Sequence, residues 1–224
     1  MNTPVRIEGR AVALHIENLD TDQIMPKQFL RGIDKSGLKD GLLHDLRFDA
    51  QGRSRPECVL NRDSHAGASI LVGGSNFGCG SSREHAVWGL LQFGIRAVVA
   101  PSFGEIFHSN AMNNRLLLVM LAPEQVARLM DDADDPAGGT VTIDIGAQSL
   151  RSRSVEAGFE LLPRYRRMFL EGFDSIGLSL TYEDRIAAFA SHHWASSPWL
   201  KDVASTACSR LSRQDGEVRE KTGH

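Results

Sequence analysis

The chain has 224 residues, 42% hydrophobic and 24% charged, with a formal net charge of -3. Such a length and composition fit one large globular domain or two small ones, and the absence of a basic excess argues against a general binder of nucleic acid or acidic membranes. Met1 to Arg10 lacks the apolar core of a signal peptide, and the longest apolar run, Leu116 to Ala122, is too short to span a bilayer. A cytoplasmic protein with no membrane and no nucleic-acid partner is expected.

Taken in order, Val5 to Ile16 alternates loosely and reads as a strand. Asn18 to Asp22 follows as a loop with capping residues, and Pro26 comes just after it. Ile33 to Arg47 carries Leu38, Leu42, Leu43 and Leu46 at helical spacing, interrupted by Gly37 and Gly41. Ser69 to Val72 predicts a buried strand that ends at Gly73-Gly74. A Gly-rich loop, Ser75 to Ser82, leads into a helix from about Arg83 to Phe93, closed by Gly94. Ile95 to Ala100 is the next strand. Pro101-Ser102 opens a helix to about Asn113, Leu116 to Leu121 is a further strand, and a helix runs from Pro123 to about Asp132.

That alternation of strands and helices predicts an α/β fold with a mostly parallel central sheet. Thr140 to Ile145 and Gln148 to Arg153 read as a hairpin about Gly146, and helices follow at Tyr165 to Gly172 and Tyr182 to Ala190. Residues 1–190 are expected to form the domain. The Ser-rich, charged stretch 191–224 shows no clear period and reads as a loosely ordered polar tail, with room for a helical turn near Trp199 to Arg210.

The segment that carries chemistry is Asn76-Phe77-Gly78-Cys79-Gly80-Ser81-Ser82-Arg83-Glu84-His85. It lies between a strand and a helix N-terminus, where unpaired backbone N–H groups and the positive helix end favour an anion. Gly78 and Gly80 permit a tight turn, and the planar fork of Arg83 suits a carboxylate. A small acidic substrate is the kind of ligand this junction fits. Ser81-Ser82-Arg83-Glu84 also fits a capping box, and the two readings are compatible. It is neither a Walker loop nor a dinucleotide fingerprint. Cys58, Cys79 and Cys208 are odd in number and scattered, with no pair at the spacing that puts two thiolates on one metal. No metal or cofactor is expected on this chain. Asp20 and Asp22 read as loop-capping residues, with paired catalytic acids as the alternative, His85 as packing or a supporting residue rather than a base, and His192-His193 as solvated.

Gly78-Cys79-Gly80-Ser81-Ser82-Arg83-Glu84-His85 resembles the signature of the swivelling domain of the aconitase superfamily. Asp20-Thr21-Asp22-Gln23-Ile24-Met25-Pro26-Lys27-Gln28-Phe29-Leu30 resembles the opening loop of bacterial isopropylmalate isomerase small subunits. Ala100 to Phe103 with Ile106, Phe107 and Asn110, and Asp174 to Leu180, match further family segments in the same order, so the likeness runs from about residue 5 to 190. The resemblance implies an aconitase-type swivelling domain, a β/β/α sandwich. It implies Ser81 as catalytic base, Arg83 as substrate-carboxylate ligand and Ser82 as a supporting hydrogen-bonding residue.

The resemblance also places a four-iron iron–sulfur cluster on a partner large subunit, in a heterodimer or heterotetramer. In the family the loop 25–31 reaches the variable group of the malate, so Met25, Phe29 and Leu30 are expected to bind an isopropyl substituent. Citraconate or dimethylmalate hydration, homoaconitase chemistry and a non-catalytic anion-binding module are the alternatives. Arg31 would favour a charged arm if it points inward, and is expected to point to solvent.

Overall fold

The computed structural model describes residues 6–30, 37–135 and 139–209. The chain divides into two compact units, one ending at Ser175 and the other beginning at Ile176. In the first, β1 (Arg6–Leu14) is followed by the short helices α1 (Thr21–Ile24), α2 (Leu38–Gly41) and α3 (His44–Arg47). Then come β2 (Ile70–Gly73), α4 (Glu84–Phe93), β3 (Ala97–Ala100), α5 (Glu105–Asn113), β4 (Leu117–Met120) and α6 (Pro123–Asp134). β5 (Thr140–Asp144), β6 (Ser149–Arg151), β7 (Glu156–Gly158) and α7 (Pro163–Glu171) complete that unit. α8 (Ser175–Leu180) and α9 (Glu183–Ser196) follow.

The seven strands form one sheet in the order β4-β3-β2-β1-β5-β6-β7. The α/β class is as expected, but only half of the sheet is parallel. β1 to β4 pair in parallel, whereas β5, β6 and β7 continue from β1 in antiparallel fashion. β1 joins the halves. Its residues Ala11 to Leu14 pair with β2, and Arg6 to Arg10 pair with β5.

Burial follows the same division. β2 and β3 are buried at every position, as strands covered on both faces must be. β5 alternates between exposed or half-buried and buried residues, as befits a strand with one wet face. α6 lies across β1, β2 and β3, and its Val126, Leu129 and Ala133 are buried.

Two expected helices and the expected tail differ. The Ile33–Arg47 helix is broken: α2 and α3 are separate turns, and Leu43 between them is left-handed at φ 50°. The helix expected from Pro101 starts at Glu105, because Phe103 makes a bridge to Phe77 instead. The expected loose tail from Ser191 is helical to Ser196 as the end of α9. Arg31 lies outside the described residues, as does the end of the tail, 210–224.

Candidate active site

Three loops leave the carboxyl ends of the parallel strands β1, β2 and β3 and meet there. In open α/β sheets this is where ligands bind. The loop after β2 is laced to the loop after β1 by hydrogen bonds from Asn18 N–H to Ser75 O, 2.8 Å, from Gly78 N–H to Leu19 O, 2.7 Å, and from Thr21 N–H to Cys79 O, 2.9 Å. It is laced to the loop after β3 by Phe77 N–H to Ser102 O, 3.0 Å, and Gly104 N–H to Phe77 O, 2.9 Å. Gly78 is left-handed at φ 73°, and a Cβ there would stand 2.3 Å from the Phe107 ring. Glycine is therefore required at that position. Gly80, at φ 89°, makes the second left-handed turn and delivers Ser81 to the mouth of the junction.

Ser81 and Arg83 converge on the first turn of α1. The Ser81 hydroxyl lies 3.2 Å from Thr21 Oγ1 and 3.2 Å from Asp22 Oδ1. Thr21 Oγ1 donates to Ser81 O at 2.8 Å. Arg83 Nη1 reaches Asp22 Oδ1 at 2.7 Å, and the Arg83 side chain is only 15% exposed against 47% for Asp22. Nη1 also faces Met25 O at 3.4 Å. A hydroxyl, a guanidinium and a carboxylate thus share one point. Nearby, the half-buried His108 ring packs near Phe103 and Tyr165. Burial, with help from Arg164, holds its imidazole below the usual value, which favours the neutral ring.

The family model for the aconitase C-terminal domain matches residues 1–124. The chain belongs to the aconitase C-terminal domain family. It is 59% identical to the 3-isopropylmalate dehydratase small subunit 1 of Chromobacterium violaceum over 212 residues, which is 95% of this chain and all of that one. It is 45% identical to the 3-isopropylmalate dehydratase small subunit of Caulobacter vibrioides, covering 90% of this chain and all of that one. The crystal structure of a 3-isopropylmalate dehydratase chain from Methanocaldococcus jannaschii superposes with a TM-score of 0.58 at 27% identity. That match covers 82% of this chain and 98% of the archaeal one. The half-parallel sheet therefore belongs to a fold this family shares.

The family's motif residues occupy distinct places here. Ser81 is not a helix cap. α4 begins at Glu84 with Arg83 as its N-cap residue and no side-chain cap, and Glu84 Oε1 takes a bond from Asn114 Nδ2 at 2.6 Å instead. The capping box belongs to α1, where Asp20 and Gln23 satisfy each other's backbone N–H groups. Of the two aspartates read as caps, Asp20 caps and Asp22 pairs with Arg83. Sequence reasoning missed Thr21 and set Asp22 aside as a cap, although the Asp-Thr-Asp run lay within the segment that carries the resemblance. Ser82 is exposed, and no hydrogen bond joins it to another described residue.

The expected specificity residues part company. Met25 is fully buried. A Cβ on Gly89 would meet its Cε at 2.2 Å, and one on Gly41 its Sδ at 2.9 Å, so both glycines make room for it. Its side chain is core and cannot line a substrate, which corrects that expectation. Phe29 is half-buried, with its ring 4.9 Å from His44. Leu30, half-buried, is the last described residue of the loop.

His85 packs beside Trp88, ring centroids 4.7 Å apart, and Cys79 Sγ faces Asn18 O at 3.3 Å. Among the described residues no three His, Cys, Asp or Glu side chains are grouped to hold a metal ion. No helix among them is long and apolar enough to cross a membrane.

Proposed function

We propose that this chain is the small subunit of a 3-isopropylmalate dehydratase, active only when docked on a large iron–sulfur subunit. The observation that carries the reading is the meeting of Ser81 and Arg83 at the carboxyl ends of the parallel strands, in a chain 59% identical over 95% of its length to a small subunit of that name. The reaction removes water from 2-isopropylmalate to give 2-isopropylmaleate, then adds it back with the opposite orientation to give 3-isopropylmalate.

Ser81 Oγ takes the proton from the carbon beside a carboxylate, and the C–H electron pair becomes the double bond as hydroxide leaves the neighbouring carbon. On rehydration Ser81 returns a proton. Arg83 holds a substrate carboxylate. Nη1 is engaged by Asp22 and Met25 O, while Nε and Nη2 meet no other described residue, so the side-on edge is open for a planar bidentate pair. When carried by the large subunit, a four-iron cluster supplies the Lewis acid for the hydroxyl oxygen. The alternative of a bare anion-binding module leaves the contact between the Ser81 hydroxyl and a carboxylate without a purpose.

The substrate follows from competition in kcat/KM. The three carbons of an isopropyl group are worth about 0.8 kcal/mol each when buried. Burying an unpaired carboxylate arm costs several kcal/mol. Phe29 and Leu30 are the half-buried apolar residues of the loop left to meet the substituent. The reconstituted enzyme is expected to prefer isopropylmalate to homoaconitate and citraconate, and Leu30→Arg to erode that preference. A wild-type kcat/KM higher for homoaconitate, reduced by Arg31→Ala, would assign the chain to another member of the family.

A further inference from the structure

A neutral serine can take up a proton only as it gives up its own, and the surroundings of Ser81 show where that proton goes. Thr21 has a single hydroxyl proton, and it is directed to Ser81 O at 2.8 Å. Thr21 Oγ1 therefore offers Ser81 Oγ only lone pairs, and the other neighbour of Oγ is Asp22 Oδ1 at 3.2 Å. Both are acceptors. A carboxylate is the stronger one and the only one of the two that can keep a proton. The same oxygen, Oδ1, is the one that Arg83 Nη1 holds at 2.7 Å.

We infer that Asp22 is the proton acceptor behind Ser81, and that Arg83 holds its carboxylate oxygen in place for that transfer. The inference rests on the reading of Ser81 as the base. As the substrate's proton moves from carbon to Ser81 Oγ, the serine's own proton passes to Asp22 Oδ1. The C–H pair forms the double bond, and hydroxide leaves the adjacent carbon. The negative charge of Asp22 is thereby transferred to the departing hydroxide, and Arg83 is left with the substrate carboxylate as its anion. Rehydration runs the two proton transfers backwards. Asp22 thus acts through Ser81 in the chemistry and through Arg83 in binding.

Two substitutions separate those roles in the full complex with a cluster-loaded large subunit. Asp22→Asn keeps an acceptor oxygen for Arg83 and Ser81 but does not retain a proton. It is expected to lower kcat by about 10²-fold or more, as general-base loss does, while the affinity for maleate, measured by calorimetry, changes less than about threefold. Asp22→Ala removes the acceptor oxygen as well. It is expected to lose a similar factor in kcat and, in addition, roughly tenfold in maleate affinity.

Equal losses of kcat and affinity in the two variants would reduce Asp22 to a structural contact. An Asp22→Asn complex with wild-type kcat overturns the inference alone, as does an Asp22→Ala complex that binds maleate as well as the wild type or better. A wild-type complex inactive on isopropylmalate but active on citraconate overturns only the substrate assignment, and the variants are then compared on citraconate. A wild type inactive on both removes the reaction and this inference with it.

Discussion

Ser81→Ala is expected to lower kcat of the reconstituted complex by about 10²–10⁴-fold, the usual cost of losing a general base, with KM little changed. The geometry isolates this effect. Ser81 caps no helix, so the alanine variant loses only the hydroxyl contacts to Thr21 and Asp22. The Thr21 hydroxyl keeps its bond to Ser81 O, a backbone atom that the substitution leaves in place. The fold should therefore lose no more than about 1 kcal/mol, the net worth of a typical hydrogen bond, and a thermal melt will report that separately from turnover. A folded Ser81→Ala complex with near-normal kcat would mean that the hydroxyl takes no part in the proton transfer.

Arg83→Lys is expected to weaken binding of substrate rather than the fold. The guanidinium serves Asp22 and Met25 O with Nη1, and its Nε–Nη2 edge is the one proposed to meet a ligand. A lysine brings one compact ammonium. It cannot hold Asp22 and present a planar pair of donors at once. Losing one charge-assisted hydrogen bond costs about 1.5–3 kcal/mol, roughly tenfold to a hundredfold in affinity. Calorimetry with a dicarboxylate measures it. Unchanged affinity would place Arg83 outside the substrate site and leave it as the N-cap residue and ion-pair partner that it also is.

Much of this was legible in the residues, for identifiable reasons. Within the expected strands Ser69 to Val72 and Ile95 to Ala100, the runs Ile70 to Val72 and Ala97 to Ala100 are wholly apolar, which is what a parallel strand covered on both faces demands. They were placed to within two residues. The antiparallel half was less visible. β6 and β7 have three residues each, too few to show a period, and the pairing of Arg6–Arg10 with β5 joins segments about 130 positions apart that no local pattern connects. Leu43 carries a left-handed break with no glycine to announce it. The end of α9 is exposed on most sides, so no buried stripe marks it as helix.

At the site, Ser81 and Arg83 stood out through their motif. The Ser-x-x-Glu spacing nevertheless suggested a cap, because spacing does not reveal that the helix starts at Glu84. Asp22 read as a cap rather than a catalytic acid for a related reason. Its partners lie 59 and 61 positions away along the chain, and a carboxylate in a polar loop gives no sign of so distant a contact. Met25 was misplaced because an apolar residue in a loop reads equally as ligand wall or as core. Only the room left by Gly41 and Gly89 decides between them.

The central claim is that this chain brings the base and the carboxylate ligand to an active site completed by a second subunit. The most direct measurement is turnover of isopropylmalate as the purified, iron-free chain is titrated into its cluster-loaded large subunit. The account predicts no turnover by either protein alone, and activity that rises with added chain and saturates at a fixed ratio. Dehydratase activity from this chain by itself, free of iron, would contradict it.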